Sequence, residues 1–126
     1  MTRQVKYRSR VVAVGELVAE FTAQNILVFF AAGAPEELAE FSILHERLTE
    51  TARVEPGDQL RLDAETYDVL AVGDVANDNF ASLGHLVVKA NGRSEPEMLG
   101  DVCVEAKPLV NLAVGDEIAI FGPDNS

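Results

Sequence analysis

The chain has 126 residues, 48% of them hydrophobic, which suits one compact domain with a core of its own. Its formal net charge is −11, and Arg3, Lys6, Arg8 and Arg10 hold four of its ten basic residues, so the remainder is more acidic still and lacks the basic patch that nucleic acid or an anionic membrane surface requires. No apolar run approaches the roughly 20 residues of a membrane span, and the basic N-terminus has no following apolar segment of the kind that marks a secretory signal.

Gln4 to Val14 reads as a first strand, because Val5, Tyr7, Val11, Val12 and Val14 are β-branched or aromatic and Gly15 ends the run. Glu16 to Ala23 carries Leu17, Val18 and Phe21 at helical spacing and ends at Asn25. Ile26 to Phe30 is a continuous apolar strand, central by its composition, closed by Gly33-Ala34-Pro35. Pro35 suits the first turn of a short helix over Glu36–Glu40, whose Glu36 and Glu37 favour its N-terminal dipole.

The next stretch, Glu40 to Arg47, alternates. As a strand it places Phe41, Ile43 and His45 on one face, with His45 at the rim of that face and Glu46 on the other side. A neutral imidazole is nucleophilic near neutral pH, which makes His45 the first candidate for chemistry. His85, in Leu83-Gly84-His85-Leu86, is the other histidine of the chain. On spacing alone the plainer reading, that both are ordinary strand histidines, is the favoured one.

The second half is written in strands and turns. Pro56-Gly57-Asp58 is a tight turn, and Leu60 and Leu62 alternate against Tyr67, Val69 and Ala71 as a hairpin does. Val75 to Leu83 reads as a helical turn or two. Strands return at His85–Lys89, near Asp101–Glu105 and at Glu117–Phe121, with a turn at Asn91-Gly92 and a polar tail from Gly122 to Ser126. Pro56 to Leu62 echoes Val114 to Ile120, which predicts two similar barrel corners and not a duplicated domain. The fold class that follows is all-β, a mainly antiparallel small barrel or sandwich with one to three short helices.

Chemical motifs are sparse. The glycines form neither a dinucleotide fingerprint nor a phosphate loop, and the two histidines lack a metal-ligand spacing. Ser42 and Ser82 have no nucleophile elbow around them. Cys103, flanked by Val102 and Val104, suits core packing; as a lone cysteine it provides neither a disulfide nor a thiolate cluster and fits a cytoplasmic home. Asp78 and Asn79 interrupt an apolar half just before His85, either as a helix cap or Asx-turn or as functional groups.

Gly73-Asp74-Val75-Ala76-Asn77-Asp78-Asn79-Phe80-Ala81-Ser82-Leu83-Gly84-His85 resembles the G-x-V-A-x-D-N-x-x-x-L-G-H signature of the glucitol/sorbitol-specific enzyme IIA family of the bacterial phosphoenolpyruvate-dependent sugar phosphotransferase system. The resemblance extends upstream through Gly33-Ala34-Pro35 and Glu36-Glu37-Leu38 to His45, and downstream through Pro56-Gly57 and Asn91-Gly92 to Val114-Gly115-Asp116. It implies a cytoplasmic phosphocarrier that accepts a phosphoryl group from the carrier protein HPr on His45, through Nε2. The group then passes to a cysteine of the glucitol/sorbitol-specific enzyme IIB, with only an indirect membrane association through the permease. It also implies that His85 or the backbone N–H groups after Gly84 stabilise the phosphoryl group, that Asp78 or Asn79 orients a ring, and that no metal or organic cofactor takes part. The readings from other classes are a non-catalytic β-barrel binding a partner or sugar, and a hydrolase using paired carboxylates. A homodimer formed by pairing an edge strand is a further expectation.

Overall fold

The structure, a computed structural model, describes residues 3–48 and 53–124. Eight strands close into a barrel: β1 (Arg3–Val14), β2 (Ile26–Ala31), β3 (Ile43–Arg47), β4 (Gln59–Leu62), β5 (Glu65–Val72), β6 (Leu86–Lys89), β7 (Asp101–Val104) and β8 (Glu117–Asp124). Their order around the barrel is β1-β3-β2-β6-β7-β5-β4-β8. Three short helices connect strands: α1 (Val18–Thr22), α2 (Glu36–Ala39) and α3 (Ala76–Leu83). The pairings are antiparallel except β2 with β3 and β6 with β7, which are parallel. Closure satisfies the strands' backbone groups laterally. The edge pairing expected of a homodimer therefore finds no free edge among the described strands.

Alternation fills the interior. Tyr7, Ser9 and Val11 of β1 point inward and are buried, whereas Val5, Val12 and Val14 are exposed. Leu27 and Phe29, Ile43, Leu60 and Leu62, Tyr67 and Val69, and Val102 and Val104 supply the other walls of the core. Burying each such side chain contributes about 1.5–3 kcal/mol. Phe41 lies just before β3, so the predicted face of that strand reduces to Ile43 and His45. Cys103 is buried, but it stands on the same side of β7 as Asp101, where the loop after β6 covers it and its Sγ approaches the Glu95 carbonyl at 3.9 Å. It packs on the barrel's outside and not in its centre.

Two expectations change. β8 continues through Gly122 to Asp124, because β1 is long enough to pair with it as far as Arg3. Asn125 and Ser126, the end of the predicted tail, lie outside the described residues. The echo between residues 56–62 and 114–120 is also wider than two corners. Gly57 and Gly115 both have φ +97°, and Asp58 and Asp116 each accept a 2.8 Å hydrogen bond from the backbone N–H three residues earlier. The N–H of Gly15 bonds to the Ser42 carbonyl as that of Gly73 bonds to Asp101. β1 carries an irregularity between Val11 and Ala13, and β5 one between Val69 and Ala71. The segments β1–β4 and β5–β8 thus repeat one backbone pattern inside a single closed barrel. Val11 pairs with His45 in the first segment and Val69 with Val104 in the second, so valine stands where the first repeat has its histidine.

Candidate functional site

The site is organised by three elements. β3 presents His45 inward, and β1, antiparallel beside it, presents Tyr7 and Ser9 on the same interior face. α3 lies across that end of the barrel, with Phe80 buried beneath it. His45 is only 3% exposed. Its ring sits among Tyr7, Phe29 and Phe80, at centroid separations of 6.1, 6.0 and 6.3 Å. The rings of Tyr7 and Phe29 meet it edge-on, and that of Phe80 lies nearly parallel to it.

Both ring nitrogens are engaged. Nδ1 lies 3.0 Å from the Tyr7 hydroxyl and 3.0 Å from the Ser9 hydroxyl. Nε2 lies 2.8 Å from the carbonyl oxygen of Gly84. A carbonyl only accepts, so Nε2 carries the hydrogen in this arrangement and Nδ1 receives a hydroxyl hydrogen. The resemblance implies attack through Nε2, and in this conformation that nitrogen holds the proton.

Burial pushes the His45 pKa down, against the Gly84 hydrogen bond, which favours the protonated ring. The nearby Arg47 charge pushes it down further. The imidazole is therefore held neutral. Burial likewise raises the Tyr7 pKa, opposed by the Ser9 hydrogen bond and by Arg47, so Tyr7 stays a phenol.

Gly84 is where it is for two reasons. It caps α3 with φ +61°, and a Cβ there would lie 2.9 Å from the Ala31 side chain on β2. Only glycine fits both demands, and the resulting turn aims its carbonyl at His45. The backbone group that meets the ring is therefore this carbonyl, while the following N–H, of His85, bonds to the Asn79 carbonyl at 3.3 Å.

The other expected site residues are not gathered around His45. The His85 ring stacks on Phe30 at 4.1 Å and its Nδ1 lies 3.2 Å from the Phe29 carbonyl. His45 packs on Phe29 and His85 on Phe30, and consecutive strand residues face opposite sides of a sheet. The two imidazoles thus lie on opposite faces of β2. Asp78 is exposed, and its backbone carbonyl receives the Ser82 hydroxyl. Asn79 acts through its carbonyl, at the cap of α3. Asn77 is the buried polar residue of that motif, gripping both the N–H and the carbonyl of Val54.

Tyr7, Ser9 and Arg47 are the neighbours that sequence reasoning did not single out. The periodicity that put Ile43 and His45 on one face also extends to Arg47, whose Nη2 donates to the Ala81 carbonyl at 3.3 Å. No group of three or more His, Cys, Asp and Glu side chains suited to a metal occurs among the described residues. A surface hollow lies elsewhere, at the end of β1 beside α2, and its walls include Glu16, Glu36, Glu37 and Glu40. Those carboxylates would repel a phosphoryl group.

Comparison with known proteins agrees with this architecture. A crystal structure of the PTS system IIA component from Enterococcus faecalis V583 superposes with a TM-score of 0.78, over 88% of this chain and 96% of that one, at 18% identity. That likeness concerns the fold. The PTS system glucitol/sorbitol-specific EIIA components of Shigella flexneri and Escherichia coli (strain K12) are each 32% identical over 111 residues, 88% of this chain and 90% of theirs. The family model described as the PTS system glucitol/sorbitol-specific IIA component matches residues 6–119, from β1 into β8. The chain belongs to the glucitol/sorbitol-specific IIA component family of the phosphotransferase system.

Proposed function

We propose that this protein is a cytoplasmic phosphocarrier in which His45 accepts a phosphoryl group from phosphohistidine on HPr and passes it to the glucitol/sorbitol-specific enzyme IIB during polyol uptake. The observation that carries the reading is the setting of His45: a neutral imidazole with two buried hydroxyls at one nitrogen and a single backbone carbonyl over the other. Family membership supplies the reaction class.

Nδ1 is walled in by groups that are themselves almost wholly buried, Tyr7 at 1% and Ser9 at 0% exposure. Nε2 is covered by Gly84, next to the exposed Leu83. Displacing that one carbonyl opens Nε2 toward a partner. A hydroxyl can accept as well as donate, so Tyr7 or Ser9 takes a hydrogen bond from Nδ1 once the proton has moved there. The lone pair of Nε2 then attacks phosphorus in line, and the nitrogen–phosphorus bond of the donor breaks. The donor ring, protonated at its other nitrogen, leaves as neutral imidazole with the bonding pair. His45 keeps its Nδ1 proton and carries the positive charge beside the phosphoryl group. Transfer onward reverses these roles, with a cysteine thiolate of the enzyme IIB as nucleophile. The protein itself carries the group, and no organic cofactor or metal has a part in this scheme.

A second reading places the phosphoryl group on His85. Its Nδ1 donates to the Phe29 carbonyl, which leaves Nε2 with a lone pair on a half-buried ring. Incubation with phosphoenolpyruvate, enzyme I and HPr, followed by intact-mass measurement, tests the function: a gain of one phosphoryl group is expected. An unchanged mass would favour a non-catalytic barrel in which both histidines are structural.

A further inference from the structure

We propose that Arg47 is the cation that holds the phosphoryl group as it arrives on His45. The inference rests on the phosphocarrier reading and adds a residue to it. Ile43, His45 and Arg47 occupy alternate positions of β3 and so share a face. Ile43 is fully buried, His45 nearly so and Arg47 exposed, which means that the interior face reaches solvent at Arg47. Arg47 also sits directly across the ladder from Ser9, whose hydroxyl contacts His45. Its guanidinium bonds to the carbonyl of Ala81, three residues before the Gly84 carbonyl that covers Nε2. The cation therefore stands at the lip through which a phosphoryl group must reach the ring.

Its partner matters as much as its place. Arg8, Arg10, Arg61 and Arg93 each lie within ion-pair distance of a glutamate. The described side-chain contacts of Arg47 are with neutral groups, the Ala81 carbonyl at a long 3.3 Å and the Tyr7 hydroxyl. In a chain of net charge −11, an arginine beside the site with no carboxylate on it among the described residues keeps its charge available. The fork of N–H groups matches phosphoryl oxygens in pairs. The charge has a second effect, since it favours the neutral form of His45, the one able to attack.

The test compares the parent with Arg47→Gln and Arg47→Lys, using purified phospho-HPr as donor and rapid quenching, at about pH 8 where the imidazole is neutral in every variant. The expected result is label on His45 in all three, with transfer slowed about 10- to 100-fold in R47Q and partly restored in R47K. NMR titration supplies a readout that a merely structural role would leave unmoved: the His45 ring should titrate at higher pH in R47Q than in the parent. An unlabelled parent, or label on His85, would overturn the phosphocarrier reading of His45 and this proposal with it. A parent labelled on His45 and an R47Q variant transferring at the parent's rate would overturn the role of Arg47 alone.

Discussion

The carbonyl of Gly84 lies 2.8 Å from Nε2 of His45, although the two residues are 39 positions apart in the chain. That contact joins the Leu-Gly-His motif to the site through its backbone. It also closes the nitrogen that the proposed transfer needs, so the state described is one at rest, with the C-terminal end of α3 as its cover.

Gly84→Ala should therefore be costly. A left-handed residue with a Cβ against Ala31 must distort the cap, at about 1–3 kcal/mol. The expected outcome is a lower urea midpoint with an unchanged slope, together with altered transfer, because the carbonyl is re-aimed. An unaltered midpoint would show that the turn tolerates a side chain.

Ser9→Ala and Tyr7→Phe each leave one hydroxyl on Nδ1, whereas the double variant leaves a buried ring nitrogen without a partner. Each single change should cost about 0.5–1.5 kcal/mol, and the pair more than the sum of the two, since an unsatisfied buried group is penalised in full. A double-mutant cycle measures this. Strict additivity would mean that the hydroxyls do not serve the ring as alternatives.

Much of the scaffold is legible from the sequence because its signals are local. Alternation in Leu60–Leu62 and Tyr67–Ala71 gives the hairpin, and Gly57 and Gly115 mark the turns that lead into β4 and β8. The site is less so. Val12 and Val14 suggest an apolar face on β1, but both are exposed, and the inward set is Tyr7, Ser9 and Val11. No period in the sequence says that a serine is buried against a histidine 36 residues away. In α3 a usable signal was present: Asn77 and Phe80 lie three apart and share the buried face, which turns Asp78 outward. The direction of the Gly84 carbonyl depends on a left-handed cap and on the approach of β2, neither of which alternation encodes. The repeat of β1–β4 in β5–β8 lies in backbone hydrogen bonds and register more than in shared side chains.

The pH dependence of stability follows from the lowered pKa of His45. Below the ordinary value of 6.5 the unfolded chain takes up a proton that the folded ring refuses. This contribution is complete above about pH 6.5 and is lost as pH falls toward the folded pKa. His45→Gln should flatten that part of a stability–pH curve. An unchanged slope in the variant would assign the effect to other groups.

The charge of −11 predicts a kinetic effect as well. Exposed charges are screened beyond about 10 Å at 0.1 M salt, so the rate of transfer from phospho-HPr should fall as salt rises. A salt-insensitive rate would leave the charge a role in solubility only.

The most direct measurement is the position of the label. The parent, His45→Gln and His85→Gln are phosphorylated with phosphoenolpyruvate, enzyme I and HPr, and the modified residue is mapped by peptide mass. Glutamine at position 45 offers a donor for the Gly84 carbonyl and an acceptor for the hydroxyls, so the variant should fold. The expected result is an acid-labile label on His45 in the parent, none in H45Q, and label retained in H85Q. Label on His85, or H45Q labelled as well as the parent, would contradict the assignment of His45 as the phosphoryl acceptor.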